Sequence, residues 1–346
     1  MAEISSWYNV DDEDLYSLSD NNQIGILGST RTVVEQGEYV WINKDQVERL
    51  SEEWIRGERE HTTSHQSLWN QRYHFQDGTE RTVNWVLVLD ALNFCFWAEK
   101  NQTRWSIDYK GETLNGYWAE AASLKRAVEE GIPLWDAEYL STISTETMAH
   151  IFRGSHTIPL FEQRVKIARE VGHVLLEHFD GQFTHAIEQA ERNAVKLVLL
   201  LTQTFPSFND IASYHARTIK FFKRAQICVA DLVGTFKGKG WGAFSQLNQL
   251  TAFADYKLPQ VLRYHHVLEY HAALAERIDS QELLVQGSEE EVEIRAATIW
   301  ACELLRRAML QRGRSMTALE IDQRLWLAGQ DSGQMHPYHR TRTIYY

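Results

Sequence analysis

Two aspartates and a basic pair lie within residues 221–259, among apolar and aromatic neighbours. The stretch opens Phe221-Phe222-Lys223-Arg224-Ala225-Gln226 and reaches Ala230-Asp231. It crosses the turn Lys237-Gly238-Lys239-Gly240-Trp241-Gly242 and closes on Phe253-Ala254-Asp255-Tyr256-Lys257-Leu258-Pro259. Apolar neighbours desolvate a carboxylate, which raises its pKa and strengthens its charge interactions. A carboxylate so placed can stabilise a developing cation or activate a water.

Each candidate has a plain structural reading beside the chemical one. Asp255, just ahead of a helix that carries Pro259, is either an N-cap or an acid facing a flat heterocycle stacked on Phe253. Asp231 follows Ile227, Cys228, Val229 and Ala230. It is either a carboxylate paired inside the protein or a ligand contact; Lys223 and Arg224 lie about two helical turns upstream. Lys220, Lys223 and Arg224 form either a solvated helix face or a phosphate site, where Arg bonds bidentately and Lys acts as a point charge. His339, Arg340 and Arg342 invite the same two readings. Asp322, in Ile321-Asp322-Gln323-Arg324-Leu325-Trp326, is a helix-start residue or a pocket residue, with Trp326 a further candidate contact. Asp90 and Asn93 interrupt an apolar run, so they must be hydrogen-bonded and are not idle.

The elements that must position these residues are mainly helical. Val47, Leu50 and Trp54 predict a helix over 45–57. Residues 58–82 are polar and read as a surface excursion. Residues 83–96 are dense in Val, Leu and Phe, and periodicity does not decide between strand and helix. Residues 105–109 alternate and precede Gly111, which predicts a short strand and turn. Helices are expected over 117–130, 161–179, 183–203 and 210–236, then a shorter one over 246–255 and another at Pro259. A long amphipathic helix is expected over 289–312, with Glu291 and Arg295 placed for an ion pair one turn apart. The aromatic-rich end from His336 to Tyr346 is expected to dock. No internal repeat, low-complexity segment or linker stands out. The fold class is therefore mainly α, a single large helical domain with a minor β component before residue 115.

Composition narrows the function classes. The 346 residues are 44% hydrophobic, 24% charged and carry only five prolines, as folded globular chains do. Twelve tryptophans point to a substantial aromatic core. The net charge of −12 argues against stable nucleic-acid binding but leaves room for a local phosphate site. Cys95, Cys228 and Cys302 are far apart in apolar runs, which predicts buried free thiols in a reducing cytosol. The opening residues show no basic-then-apolar pattern, so no signal peptide is expected. The apolar run 86–97 is too short to span a bilayer. The expectation is a cytoplasmic monomer acting on a small molecule. Dinucleotide, P-loop and nucleophile-elbow motifs are missing, and His265-His266 point to different faces, so no metal site is expected.

Several blocks together resemble a known family. They are residues 88–97 (Val-Leu-Asp-Ala-Leu-Asn-Phe-Cys-Phe-Trp), Phe205-Pro206-Ser207-Phe208-Asn209-Asp210, Phe222-Lys223-Arg224-Ala225-Gln226, residues 253–262, Glu291-Val292-Glu293-Ile294-Arg295-Ala296 and Tyr345-Tyr346. In this order they are similar to the queuosine salvage family, over roughly residues 35–346; residues 1–34 read as an N-terminal extension. The resemblance implies hydrolysis of the N-glycosidic bond of queuosine 5'-monophosphate, release of queuine for tRNA modification, and no metal or organic cofactor. It also implies a fold similar to helix-hairpin-helix DNA glycosylases, with 238–242 as the hairpin. By that likeness Asp255 stabilises the sugar cation, with Asp231 as its rival. Phe253 stacks on the base. Asp322, Trp326 and Asp231 are candidates for contacts to the base or its amine, and Lys223, Arg224, His339, Arg340 and Arg342 for the phosphate. A non-catalytic nucleoside-binding protein and a DNA-glycosylase-like repair enzyme are the alternatives.

Overall fold

Helices form where apolar residues recur at helical spacing, and they dominate the architecture. The structure is a computed structural model that describes residues 22–60, 69–330 and 333–346. Among the described residues there are fourteen α-helices, while strands pair only in two-stranded ladders. Helices at Lys44–Glu60, Gly116–Glu129, Phe161–Phe179 and Glu289–Gln311 stand where the periodicity predicts them. The undecided run is a helix, Glu80–Leu92, capped by the Thr79 side chain. It is buried on almost every side, which is why it shows no amphipathic period.

Four expectations need correction. The helix expected over 183–203 is broken into Phe183–Gln189 and Ala194–Thr204. Glu191 and Arg192 take left-handed φ, and Asn193 caps the second helix by accepting from Lys196 N–H. The segment 210–236 begins as a hairpin, Ile211–Tyr214 with Arg217–Lys220, and only then becomes the helix Lys223–Thr235. His215 and Ala216, both at positive φ, make the two-residue turn that suits a hairpin's twist. In place of a helix over 246–255 there is one 3₁₀ turn, Leu247–Gln249, then an irregular stretch to Asp255. The supposed surface excursion holds a buried His74; its residues 61–68 lie outside the described chain.

The sequence reading treats the chain as one domain; the described residues gather into two compact units. One contains residues 22–60, Ile211–Phe221 and Asn248–Arg342. The Glu289–Gln311 helix runs through it and packs against Ile26–Gln36, Lys44–Glu60, Lys257–Tyr264 and Ala318–Ala328. Val47, Leu50, Val261, Ala301 and Leu305 lie in its core. The carboxylate of Glu293, on the central helix, accepts from the N–H groups of Glu38, Tyr39 and Val40 at 3.1, 2.7 and 3.1 Å. It also accepts from the Tyr214 hydroxyl at 3.0 Å. It thereby starts the strand Val40–Ile42, which pairs antiparallel with Leu268–Tyr270.

The second unit contains residues 69–210, Phe222–Leu247 and Thr343–Tyr346. Its Glu80–Leu92 helix packs on Phe161–Phe179, Phe183–Gln189 and Lys223–Thr235. Gly172 lets Phe161–Phe179 approach Ala137–Ser141, since a Cβ there would meet the Ser141 nitrogen at 2.2 Å. The chain end docks as expected: Tyr346 is buried, and its carbonyl accepts the Cys95 N–H at 2.9 Å. Among the described residues no helix is long and apolar enough to cross a membrane.

Removing the Glu293 carboxylate strands three main-chain donors. Glu293→Ala is expected to destabilise the first unit by roughly 2–4 kcal/mol, measured by urea unfolding; an unchanged midpoint would show these bonds to be dispensable.

Candidate active site

Two constellations of buried ionisable groups stand out, one in each unit. In the first, the irregular stretch from Thr251 to Asp255 delivers its last residue to the start of the helix Lys257–Tyr264. Asp255 Oδ1 accepts from the N–H groups of Lys257 at 2.7 Å and Leu258 at 3.0 Å. These are helix-end donors with no partner inside the helix, and the helix dipole there favours negative charge. Asp255 thus caps the helix from one residue ahead of the N-cap position, which Tyr256 occupies, and the bonds fix its carboxylate in one orientation. Pro259 sits two residues into that helix, where its missing N–H forfeits nothing.

Around Asp255 the same unit gathers further polar groups. Asp322 is not at a helix start; Thr317 caps its helix through a capping box with Glu320. Asp322 instead lies inside the helix, buried, and accepts the Phe253 N–H at 2.6 Å. Arg295 donates to the Ala254 carbonyl at 3.2 Å and meets Glu291 at 3.8 Å, the ion pair expected from their spacing. Lys257 donates to the Gly329 carbonyl at 2.8 Å, with Tyr338 beneath its ammonium. Burial pushes the Cys302 thiol up, and the charges of Asp322, Glu303 and Asp255 add to the effect. His339 is buried; desolvation and then Arg295 hold it down to about 3, so it is neutral at pH 7. Arg340, half-buried, donates to Gln281, while Arg342 is exposed. Phe253 is buried, and Trp326 is half-buried against the core.

In the second unit, Asp90 faces Asp231 from the Glu80–Leu92 helix. Asp90 is fully buried, and no described group donates to either oxygen in hydrogen-bonding geometry. Burial and then repulsion from Asp231 push it well above the usual carboxylate range. Asp231 is raised by burial and drawn back by the Tyr117 hydroxyl, 3.4 Å away, and by Lys223. Glu120 is pushed up to about 8 by burial, against the pull of Arg164 at 3.2 Å. Asp231 and Tyr117 keep solvent-facing surface. Beside Asp231 stand Ala230 and Gly234, with Trp69 packed over Gly234. His74 stacks on Trp69 at 4.2 Å and bonds the Tyr117 hydroxyl at 2.9 Å.

Lys223 and Arg224 are buried, which overturns the solvated-face reading. Arg224 donates to the carbonyls of Ala91 and Ser207, and Lys223 reaches the Asn93 carbonyl at 3.4 Å. They neutralise the carboxyl cluster from within.

The family model of the queuosine salvage protein matches residues 73–346. This chain belongs to the queuosine salvage protein family. A Sphaerobacter thermophilus protein named queuosine 5'-phosphate N-glycosylase/hydrolase is 50% identical over 94% of this chain and 98% of its own length. Proteins of the same name from Bos taurus and Dictyostelium discoideum are 39% and 35% identical, over 77% and 92% of the chain and 82% and 97% of their own lengths.

Within this family member, the first unit brings together Phe253, Asp255 and Asp322, and the second holds Asp231, Lys223 and Arg224. Tyr117, His74, Glu120 and Arg295 are additions that the sequence reading did not single out for the site. Tyr117 and Glu120 stand one turn apart on one helix face, a signal that was available. His74 lies in a polar stretch whose composition hides its burial. Among the described residues no group of three or more His, Cys, Asp or Glu side chains is placed to hold a metal ion.

The raised carboxyls bind protons more tightly in the folded than in the unfolded chain, so their contribution is full at low pH. It is lost as pH rises from about 4 through the folded values, which for Glu120 means about 8. Asp90→Asn mimics the protonated acid. It is expected to change stability little at about pH 3.5, below the ordinary carboxylate value, and to raise it increasingly as pH climbs to about 8.5, read from thermal melts; equal effects at the two ends of that range would contradict the protonated assignment.

Proposed function

We propose that this chain hydrolyses the N-glycosidic bond of queuosine 5'-phosphate and releases queuine, with Asp255 as the carboxylate that stabilises the sugar cation. The observation that carries the reading is the fixation of Asp255 by two main-chain N–H groups at a helix start. The names of the relatives supply the reaction. Cleavage of a glycosidic bond develops positive charge on the ring oxygen and C1', so a preoriented carboxylate lowers the barrier without reorganising. Queuine is a 7-deazaguanine and has no N7 to accept a proton. Stabilisation of the sugar side therefore carries more of the barrier than activation of the leaving base.

Geometry favours Asp255 over Asp231 for this role. A stabilising group must be ionised when the cation forms. Asp231 lies in a cluster that raises its proton affinity, whereas Asp255 is bonded to donors that favour its charge. The rival retains one specific support: Asp231, a half-buried residue, is paired with the Tyr117 hydroxyl at 3.4 Å. Phe253 offers a face for the base, and Asp322 and Trp326 its polar and aromatic edges. Arg340 and Arg342 are the better phosphate candidates, because Lys223, Arg224 and neutral His339 are buried. A relation to helix-hairpin-helix DNA glycosylases is part of the proposal. The helix Lys223–Thr235 and the glycine turn after it support this relation; the irregular stretch before Asp255 weighs against it. The protein is taken as a cytoplasmic monomer that needs no metal or organic cofactor.

Incubation with queuosine 5'-phosphate should release queuine, detected by mass spectrometry; no release above the buffer control would leave a nucleoside-binding protein instead. Asp255→Asn should lose at least about 100-fold in kcat, the scale of losing a preorganised electrostatic partner. Full turnover in Asp255→Asn together with a dead Asp231→Asn would transfer the role to the rival. The unphosphorylated nucleoside should show a lower kcat/KM than the phosphate, and equal values would remove the need for a phosphate site.

A further inference from the structure

The segment that carries Asp255 has no regular structure of its own to hold it, since residues 251–255 lie in neither helix nor strand. Its main chain is instead gripped by two buried side chains of opposite charge. The Asp322 carboxylate takes the Phe253 N–H at 2.6 Å, and Arg295 Nε donates to the Ala254 carbonyl at 3.2 Å. The two grips come from two helices, Ala318–Ala328 and Glu289–Gln311.

Arg295 is itself tightly held. Its guanidinium lies 3.9 Å from the centre of the Phe221 ring, and Glu291 faces it from one turn earlier. Glu291 is tied in turn to the Gly287 N–H at 3.0 Å. A buried ion pair of this kind adds little stability over an apolar replacement of the same shape. What the guanidinium supplies here is a direction. The carbonyl it holds belongs to the peptide linking Ala254 to Asp255, so its orientation sets φ of Asp255 and the line along which the carboxylate points.

Resting on the reading that Asp255 is the carboxylate of the reaction, we propose that Arg295, braced by Glu291 and Phe221, is a positioning residue that aims Asp255 by fixing the Ala254 carbonyl. Asp322 does the same from the Phe253 side, whatever else it contacts. A displacement of about an ångström in a reacting group costs roughly 100-fold, so the grip governs turnover more than substrate affinity.

A double-mutant cycle on queuine release tests this. Parent, Arg295→Met, Asp255→Asn and the double variant are compared for kcat and KM, with the melting temperature of each. Arg295→Met is expected to lower kcat about 10- to 100-fold while KM moves less than about threefold. In the Asp255→Asn background the same change should cost less than about threefold, because the group being aimed is already lost. Arg295→Lys, which can still donate to the carbonyl, should recover part of the rate, and it replaces Arg295→Met in the cycle if that variant does not fold. If Asp255→Asn turns over too slowly to measure, the kcat-against-KM split in Arg295→Met and its recovery in Arg295→Lys decide the question. Parental kcat in Arg295→Met, or the same fold loss in both backgrounds, would overturn the proposal. Parental turnover in Asp255→Asn would instead overturn the reading on which it rests.

Discussion

The hydrogen bonds from Lys257 and Leu258 N–H to Asp255 are the constraint on which the site depends. They make one carboxylate serve two purposes. It ends the irregular stretch and starts a helix, and it is held in a single orientation by main-chain donors that favour its charged form. A carboxylate on a flexible loop would have to be oriented as the reaction proceeds. Here folding has already oriented it, and the helices carrying Asp322 and Arg295 hold the approach to it.

The second unit handles burial of charge in a different way. Asp90, Glu120 and Asp231 lie near Arg164, Lys223 and Arg224, whose positive charge offsets part of the cost of burying the acids. Desolvation is relieved there mainly by protonation and by carbonyl acceptors for the cations, not by helix-end donors. The two constellations therefore treat acids differently: Asp255 faces main-chain donors that favour its charge, and Asp90, Glu120 and Asp231 are pushed toward their neutral forms. That contrast separates groups suited to stabilising a cation from groups suited to holding protons.

Much of the fold was legible in the residues. Helical spacing located the long helices, and the spacing of Glu291 and Arg295 predicted their ion pair. The hairpin at 211–220 was missed because its turn residues, His215 and Ala216, are not the usual glycine or asparagine signals. The 246–255 stretch looked helical because its composition is helix-compatible, while tertiary bonds from Asp322 and Arg295 hold part of it outside regular structure. Burial of Lys223 and Arg224 was invisible for a related reason: their partners are carbonyls of residues far along the chain. Asp255 was readable as a cap, which its bonds to Lys257 and Leu258 N–H bear out, and as a catalytic acid, which is the proposal made above.

The most direct test of the account is a crystal structure of the Asp255→Asn variant with intact queuosine 5'-phosphate. The account predicts that the side chain at position 255 lies in contact with the sugar, about 3–3.5 Å from C1' or the ring oxygen. A complex in which the Asp231 carboxyl occupies that place, with position 255 remote from the sugar, would contradict it.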